Sequence, residues 1–229
     1  MARIDMVVFD LAGTTIDDSG GAVLRCLAET TKAFDLPGDD HDLNSLMGMN
    51  KHEVFALLAE RRGDAPDAAR RLADDALVMF LERMRASYEA HLSPLPGAED
   101  TFTFLRSRGV KIATDTGFES SVTSLIMERL DWPGRLTDLS VCSSDVSRGR
   151  PAPYMVFHAM EKLGISNVRT VMKVGDSPSD LEEGANAGCG EVVGVLSGAH
   201  DAATLGKLRH TRLLSSVADL PHLTDLWSG

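Results

Sequence analysis

Apolar residues crowd into Met6-Val7-Val8-Phe9 and stop at Asp10, where Gly13-Thr14-Thr15 turns the chain. A short apolar run closed by a turn predicts a strand buried on both faces, as in a parallel sheet. From Ala22 to Phe34 the spacing changes: Val23, Leu24, Leu27 and Ala28 recur at helical intervals, and Leu36-Pro37-Gly38 stops them. Asp39 to Asn44 is polar, predicts a short helix and leads to Leu46-Met47-Gly48. Lys51 to Arg62 follows as a second long helical pattern. Asp64 to His91 is a third, charged on one face with Leu72, Leu77, Met79, Phe80 and Met84 on the other. Nothing between Asp17 and Leu92 has the period of a strand.

Ser93-Pro94-Leu95-Pro96-Gly97 is the strongest linker signal, and beyond it helix and strand alternate. Helices are expected at Thr101 to Arg108, Ser120 to Leu130, Ala152 to Leu163, Asp180 to Ala187, Ala202 to Leu208 and Val217 to Leu226, the last interrupted at Pro221. Strands are expected at Val110 to Thr114, Leu139 to Cys142, Arg169 to Val174, Glu191 to Val195 and, at an edge, Arg212 to Leu214. This order predicts an α/β fold with a doubly wound, Rossmann-like parallel sheet and an inserted all-helical cap. The core is expected at residues 1–16 and 97–229 and the cap at 17–96, joined by two connectors that form a hinge.

Composition narrows the partners. A formal net charge of -11 argues against non-specific binding to nucleic acid or an anionic membrane. No apolar run approaches the ~20 residues that span a bilayer, and the first residues lack the pattern of a signal peptide. A cytoplasmic location is therefore expected. Cys26, Cys142 and Cys189 are widely spaced and suit reduced thiols.

In a parallel α/β sheet, ligands gather at the carboxyl ends of the strands. Asp10 stands at such an end; alone, it reads equally well as a turn-closing or capping residue. Asp176, in Val174-Gly175-Asp176, ends another apolar strand, and two carboxylates at neighbouring strand ends need a cation between them. Hard oxygen ligands with an anionic substrate point to Mg2+. Asp180 is read as a direct ligand, a residue behind the ligands, or a cap of the following helix. Thr116 and Gly117 offer a hydroxyl and a free N–H to phosphoryl oxygens. Arg150, in Arg150-Pro151-Ala152-Pro153, supplies a charge-compensating cation; Arg148 is its rival, and Lys173 is set aside as lying inside a strand.

Asp10 through Thr15, with Thr116, Arg150, Asp176 and Asp180 in order, resembles the haloacid dehalogenase superfamily, whose members use the first Asp as a nucleophile. Ala12 stands where the phosphatases of that superfamily carry a general acid, and Asp10-Leu-Ala-Gly-Thr-Thr15 looks like the phosphonoacetaldehyde hydrolase branch. The resemblance implies a Mg2+-dependent hydrolase acting on a small-molecule phosphonate or phosphate. It implies Asp10, Thr116 and Arg150 as catalytic groups, Gly13 and Gly117 at the substrate, and Asp10, the Ala12 carbonyl, Asp176 and Asp180 at the metal. It also implies a homodimer formed through the cap.

Met47-Gly48-Met49-Asn50-Lys51 is similar to a cap segment of that branch, in which a lysine forms a Schiff base with the substrate aldehyde. Lys51 is the candidate, with Met47 and His52 near enough to line its pocket. Two readings stand side by side for Lys51, an imine-forming amine and a cation that binds a remote phosphate; a solvated helix-start lysine is a third. The first implies cleavage of a C–P bond, the second a small-molecule phosphatase. A noncatalytic binding protein on the same fold is a further class. Asp115 stands where that branch has a neutral hydroxyl residue.

Overall fold

The computed structural model describes residues 4–227; the outermost residues of the expected core, 1–3 and 228–229, lie outside them. Strands β1 (Met6–Asp10), β2 (Lys111–Thr116), β3 (Leu139–Cys142), β4 (Val171–Gly175), β5 (Glu191–Val195) and β6 (Arg212–Leu214) form a six-stranded sheet. Its order is β3-β2-β1-β4-β5-β6 with every pairing parallel, so β1 sits at the centre and β6 at an edge. Side chains alternate across a strand. Val7 and Phe9 therefore join one apolar cluster with Phe102, Val122 and Ile126, while Met6 and Val8 join another with Met155, Val156 and Leu181. Helices cover both faces, as the alternating pattern predicts.

Between β1 and β2 the chain forms α1 (Ala22–Ala33), α2 (Asp40–Ser45), α3 (Lys51–Arg62) and α4 (Pro66–Ala90), with no strand among them, and then α5 (Ala98–Ser107). The helical stretch leaves and rejoins the sheet at one place. Asp17 N–H donates to the Ser93 carbonyl at 2.9 Å and Leu95 N–H to the Thr15 carbonyl at 2.9 Å, so the outgoing and returning chains run side by side.

After β2 come α6 (Ser120–Leu130), α7 (Tyr154–Leu163), α8 (Pro178–Ala187), α9 (Ala202–Leu205) and α10 (Thr224–Trp227). Several boundaries differ from expectation by one to three residues, α5 starting at Ala98 and α9 ending at Leu205 among them. β2 runs on to Thr116, because Asp115 and Thr116 pair with Val141 and Cys142 of β3. α7 starts at Tyr154, with Pro153 as its N-cap. The last segment is interrupted around Pro221, as expected, into a 3-10 turn at Val217–His222 and α10.

Candidate active site

The carboxyl ends of β1, β2 and β4 open onto one narrow cavity. Asp10 closes β1, Thr116 closes β2, and Asp176 follows β4, and all three line it together with Ala12 and Gly117. Met47, Gly48 and Lys51 close it from the helical side. Val23, Phe118 and Ser177 complete the wall, and sequence reasoning missed them. Phe118 N–H donates to Thr116 Oγ1 at 3.2 Å, which leaves the hydroxyl hydrogen free to face the cavity.

Behind the cavity Arg150 is fully buried. It lies 2.8 Å from Asp10, 2.5 Å from Asp115, 2.9 Å from Asp180 and 3.1 Å from Glu183. Its rival Arg148 is exposed. Lys173, set aside in the sequence, is the second cation of this cluster: its Nζ lies 2.5 Å from Asp115, 3.0 Å from Asp180 and 3.4 Å from Glu183. β4 is buried along its whole length, and a lysine inside such a strand is itself a signal for carboxylate partners. Burial and Arg150 press Lys173 towards the neutral amine, but the three carboxylates outweigh them and hold its pKa above the ordinary range.

Asp115 faces Asp10 across β1 and β2. Burial works against its charge, yet Arg150 and Lys173 keep its pKa below the usual carboxylate range. Asp180 faces the buried cations: its Oδ2 accepts from Ser177 Oγ at 2.5 Å in a cap of α8, and its Oδ1 lies at ion-pair distance from Arg150 and Lys173. It therefore stands behind the cavity, positioning the cations and capping the helix, and does not line the cavity as a ligand would. Asp10, Asp115 and Asp180 are close enough to share a metal, but Arg150 reaches all three and Lys173 reaches two.

The donor set facing the cavity is Asp10 with Asp176. Burial, and then the repulsion of Asp180, push the Asp10 pKa up to about 6, against the pull of Arg150 and Lys173. Asp176 is raised well above the usual range by burial, then by Asp10 and Asp180. Asp176 Oδ1 accepts from Thr14 Oγ1 at 3.0 Å and Oδ2 from Ala199 N–H at 2.7 Å, so the carboxylate is aimed and each oxygen keeps a lone pair. Two buried carboxylates that repel one another across a cavity fit a small, hard divalent cation. Gly13, expected at the substrate, faces an adjoining cavity instead. Its backbone has φ 84°, and a Cβ there would lie 2.8 Å from Asp176 Oδ2, so glycine permits the approach of the turn to that carboxylate.

Lys51 is the first residue of α3 and only 3% exposed. Its Nζ donates to the Met49 carbonyl at 3.0 Å. Burial, then Arg150, pull its pKa down to about 8, while Asp10 pulls the other way. The solvated reading is thereby excluded. His52 does not join it: one residue along a helix turns the side chain by about 100°, and His52 Nε2 lies 3.0 Å from Asp74 on α4.

Gly48 carries the approach of the helical side to the sheet. It has φ 79°, and a Cβ would collide with the hydroxyls of Ser177 and Ser179. Gly48→Ala is expected to cost about 1–2 kcal/mol from backbone strain alone. It should also lift Lys51 from Asp10, so a thermal melt should show a modest loss of stability and a substrate assay a larger loss of turnover.

A haloacid dehalogenase-like hydrolase model matches residues 4–188. A phosphonoacetaldehyde hydrolase of Paraburkholderia xenovorans is 30% identical over 82% of this chain and 73% of its own. That of Latilactobacillus sakei is 32% identical over 99% of this chain and 85% of its own. A crystal structure of a phosphonoacetaldehyde hydrolase-like protein from Oleispira antarctica superposes with a TM-score of 0.80 at 22% identity, covering 99% of this chain and 94% of the other. With a buried carboxylate at the end of the central strand and a match across most of its length, this chain belongs to the haloacid dehalogenase-like hydrolases.

Proposed function

We propose that this hydrolase cleaves the C–P bond of phosphonoacetaldehyde, or of a closely similar carbonyl-bearing phosphonate, through an imine on Lys51. The observation that carries the reading is a buried amine with a pKa near 8 sharing a cavity with Asp10, where position 12 offers a methyl group and no acid. An ester leaving group needs a proton that Ala12 cannot give, whereas a carbon leaving group needs an electron sink. The names of the curated relatives support the same substrate class.

Neutral Lys51 Nζ adds to the aldehyde carbon, and the resulting carbinolamine takes up a proton and loses water, giving an iminium ion. An Asp10 oxygen attacks phosphorus as the P–C bond breaks, and the bonding pair moves into the iminium to form an enamine. Protonation and hydrolysis of the enamine release acetaldehyde and restore Lys51. Water then cleaves the phosphoryl group from Asp10. Arg150 holds Asp10 in place and offsets charge, and the Thr116 hydroxyl and Gly117 N–H receive the phosphoryl oxygens. Asp10, Asp176 and the Ala12 carbonyl would hold Mg2+, which supplies charge neutralisation when bound. The helices at 17–96 act as a cap that closes over the substrate and excludes water.

The test is release of phosphate and acetaldehyde in equal amounts from phosphonoacetaldehyde with Mg2+, abolished by a chelator and by Lys51→Arg. Equal loss of both products supports the reading. Turnover of phosphate esters only, undiminished in Lys51→Arg, would favour a phosphatase with Lys51 as a binding cation.

The pH dependence follows from the same amine. A lysine with pKa near 8 is roughly a tenth neutral at pH 7 and half neutral at pH 8. Imine formation should therefore rise about fivefold between those values and level off above roughly pH 9. The direction is set by the amine losing a proton to become nucleophilic; stopped borohydride trapping at each pH measures it. A rate that falls over this range would contradict it.

A further inference from the structure

We infer that Asn50 and Glu119 form a tether that seats Lys51 over Asp10, which makes both of them positioning residues. The inference rests on the reading of Lys51 given above, but the seating can be observed without turnover.

Asn50 is the N-cap of α3, one residue before Lys51, and its side chain works in two directions. Its Oδ1 accepts from Glu53 N–H at 3.0 Å and closes the first turn of the helix. Its Nδ2 donates to Glu119 Oε1 at 3.2 Å, across to the loop after β2. Glu119 is fixed in turn: Oε1 accepts from Ser143 Oγ at 3.1 Å and Oε2 accepts from Ser144 Oγ, both on the turn after β3. The acceptor is thus held to the turn after β3 by bonds that do not involve Asn50.

The segment between is clamped. Ser179 Oγ donates to the Met47 carbonyl at 3.2 Å, holding its other end. A Cβ on Gly117 would lie 2.7 Å from the Met49 carbonyl oxygen and 2.8 Å from that of Gly48, so the backbones meet with no side chain between them. The Met49 carbonyl is also the acceptor for Lys51 Nζ. Loss of the Asn50–Glu119 bond therefore frees the end of the segment from which Lys51 projects, while Ser179 still holds the far end.

The substitutions separate capping from tethering. Asn50→Asp keeps an oxygen for Glu53 N–H but removes the donor and sets two carboxylates face to face. Glu119→Gln keeps an acceptor for Asn50. Combining the two restores a bond of opposite polarity, the new amide donating to the new carboxylate. The readout is the rate at which an amine-reactive ester acylates Lys51 in the substrate-free protein, followed by peptide mass spectrometry, with fully buried Lys173 as the marker of an intact fold. Asn50→Asp should raise Lys51 labelling about tenfold, the equivalent of one hydrogen bond to a charged group. Glu119→Gln should leave it unchanged, and the double substitution should return it close to the original rate.

Glu119→Ala, which removes the acceptor without adding repulsion, should raise Lys51 labelling similarly. Labelling that stays at the original rate in Asn50→Asp and in Glu119→Ala overturns the tether, as does failure of the double substitution to restore protection. Labelling that responds as expected, in a protein that never traps an aldehyde on Lys51, upholds the tether and removes the imine reading instead.

Discussion

Asp10→Asn is expected to abolish turnover, by about 10^4-fold or more in kcat, while the protein stays folded. The amide oxygen can still accept from Arg150 Nη1, which now lies 2.8 Å from Asp10, and the side chain keeps its volume in a buried site. What is lost is the carboxylate that attacks phosphorus in the proposed reaction. Steady-state assays beside a thermal melt separate the two: an unchanged Tm with no turnover is the expected pair. Retained turnover would remove Asp10 from the nucleophile's role.

Arg150→Met carries the largest expected effect on stability. Arg150 is the only residue that touches Asp10, Asp115, Asp180 and Glu183 together among the described residues, and it is fully buried. Removing one partner of a buried ionic cluster leaves uncompensated charge, at a cost of about 3–5 kcal/mol. For a chain of this length that corresponds to a fall in Tm of roughly 10 °C. Arg150→Lys should rescue little, because a single ammonium cannot reproduce the fork that spans four carboxylates. A Tm within a degree or two of the original would show that Lys173 alone neutralises the cluster.

Much of this arrangement is legible in the sequence because strand ends in a parallel sheet converge. An apolar run emptying into an acid or a hydroxyl marks Asp10, Thr116 and Asp176, and all three line the cavity. Met47 and Lys51 are carried there by the helical stretch and are legible through their segment rather than their spacing. His52 is not, since adjacency in sequence is not adjacency on a helix. Lys173 is legible only as a buried cation that must meet carboxylates; which ones, and that Glu183 on a helix face is among them, emerges when the sheet order brings β4 beside β1. The Asn50–Glu119 contact joins positions 69 apart, and neither residue belongs to a pattern that the chain repeats.

The measurement that bears most directly on the imine reading is borohydride reduction of the protein with phosphonoacetaldehyde, followed by peptide mass mapping. The account predicts irreversible loss of activity together with a two-carbon adduct on Lys51, and neither in Lys51→Arg. Turnover of phosphonoacetaldehyde that borohydride leaves intact, with no adduct on Lys51, would contradict it.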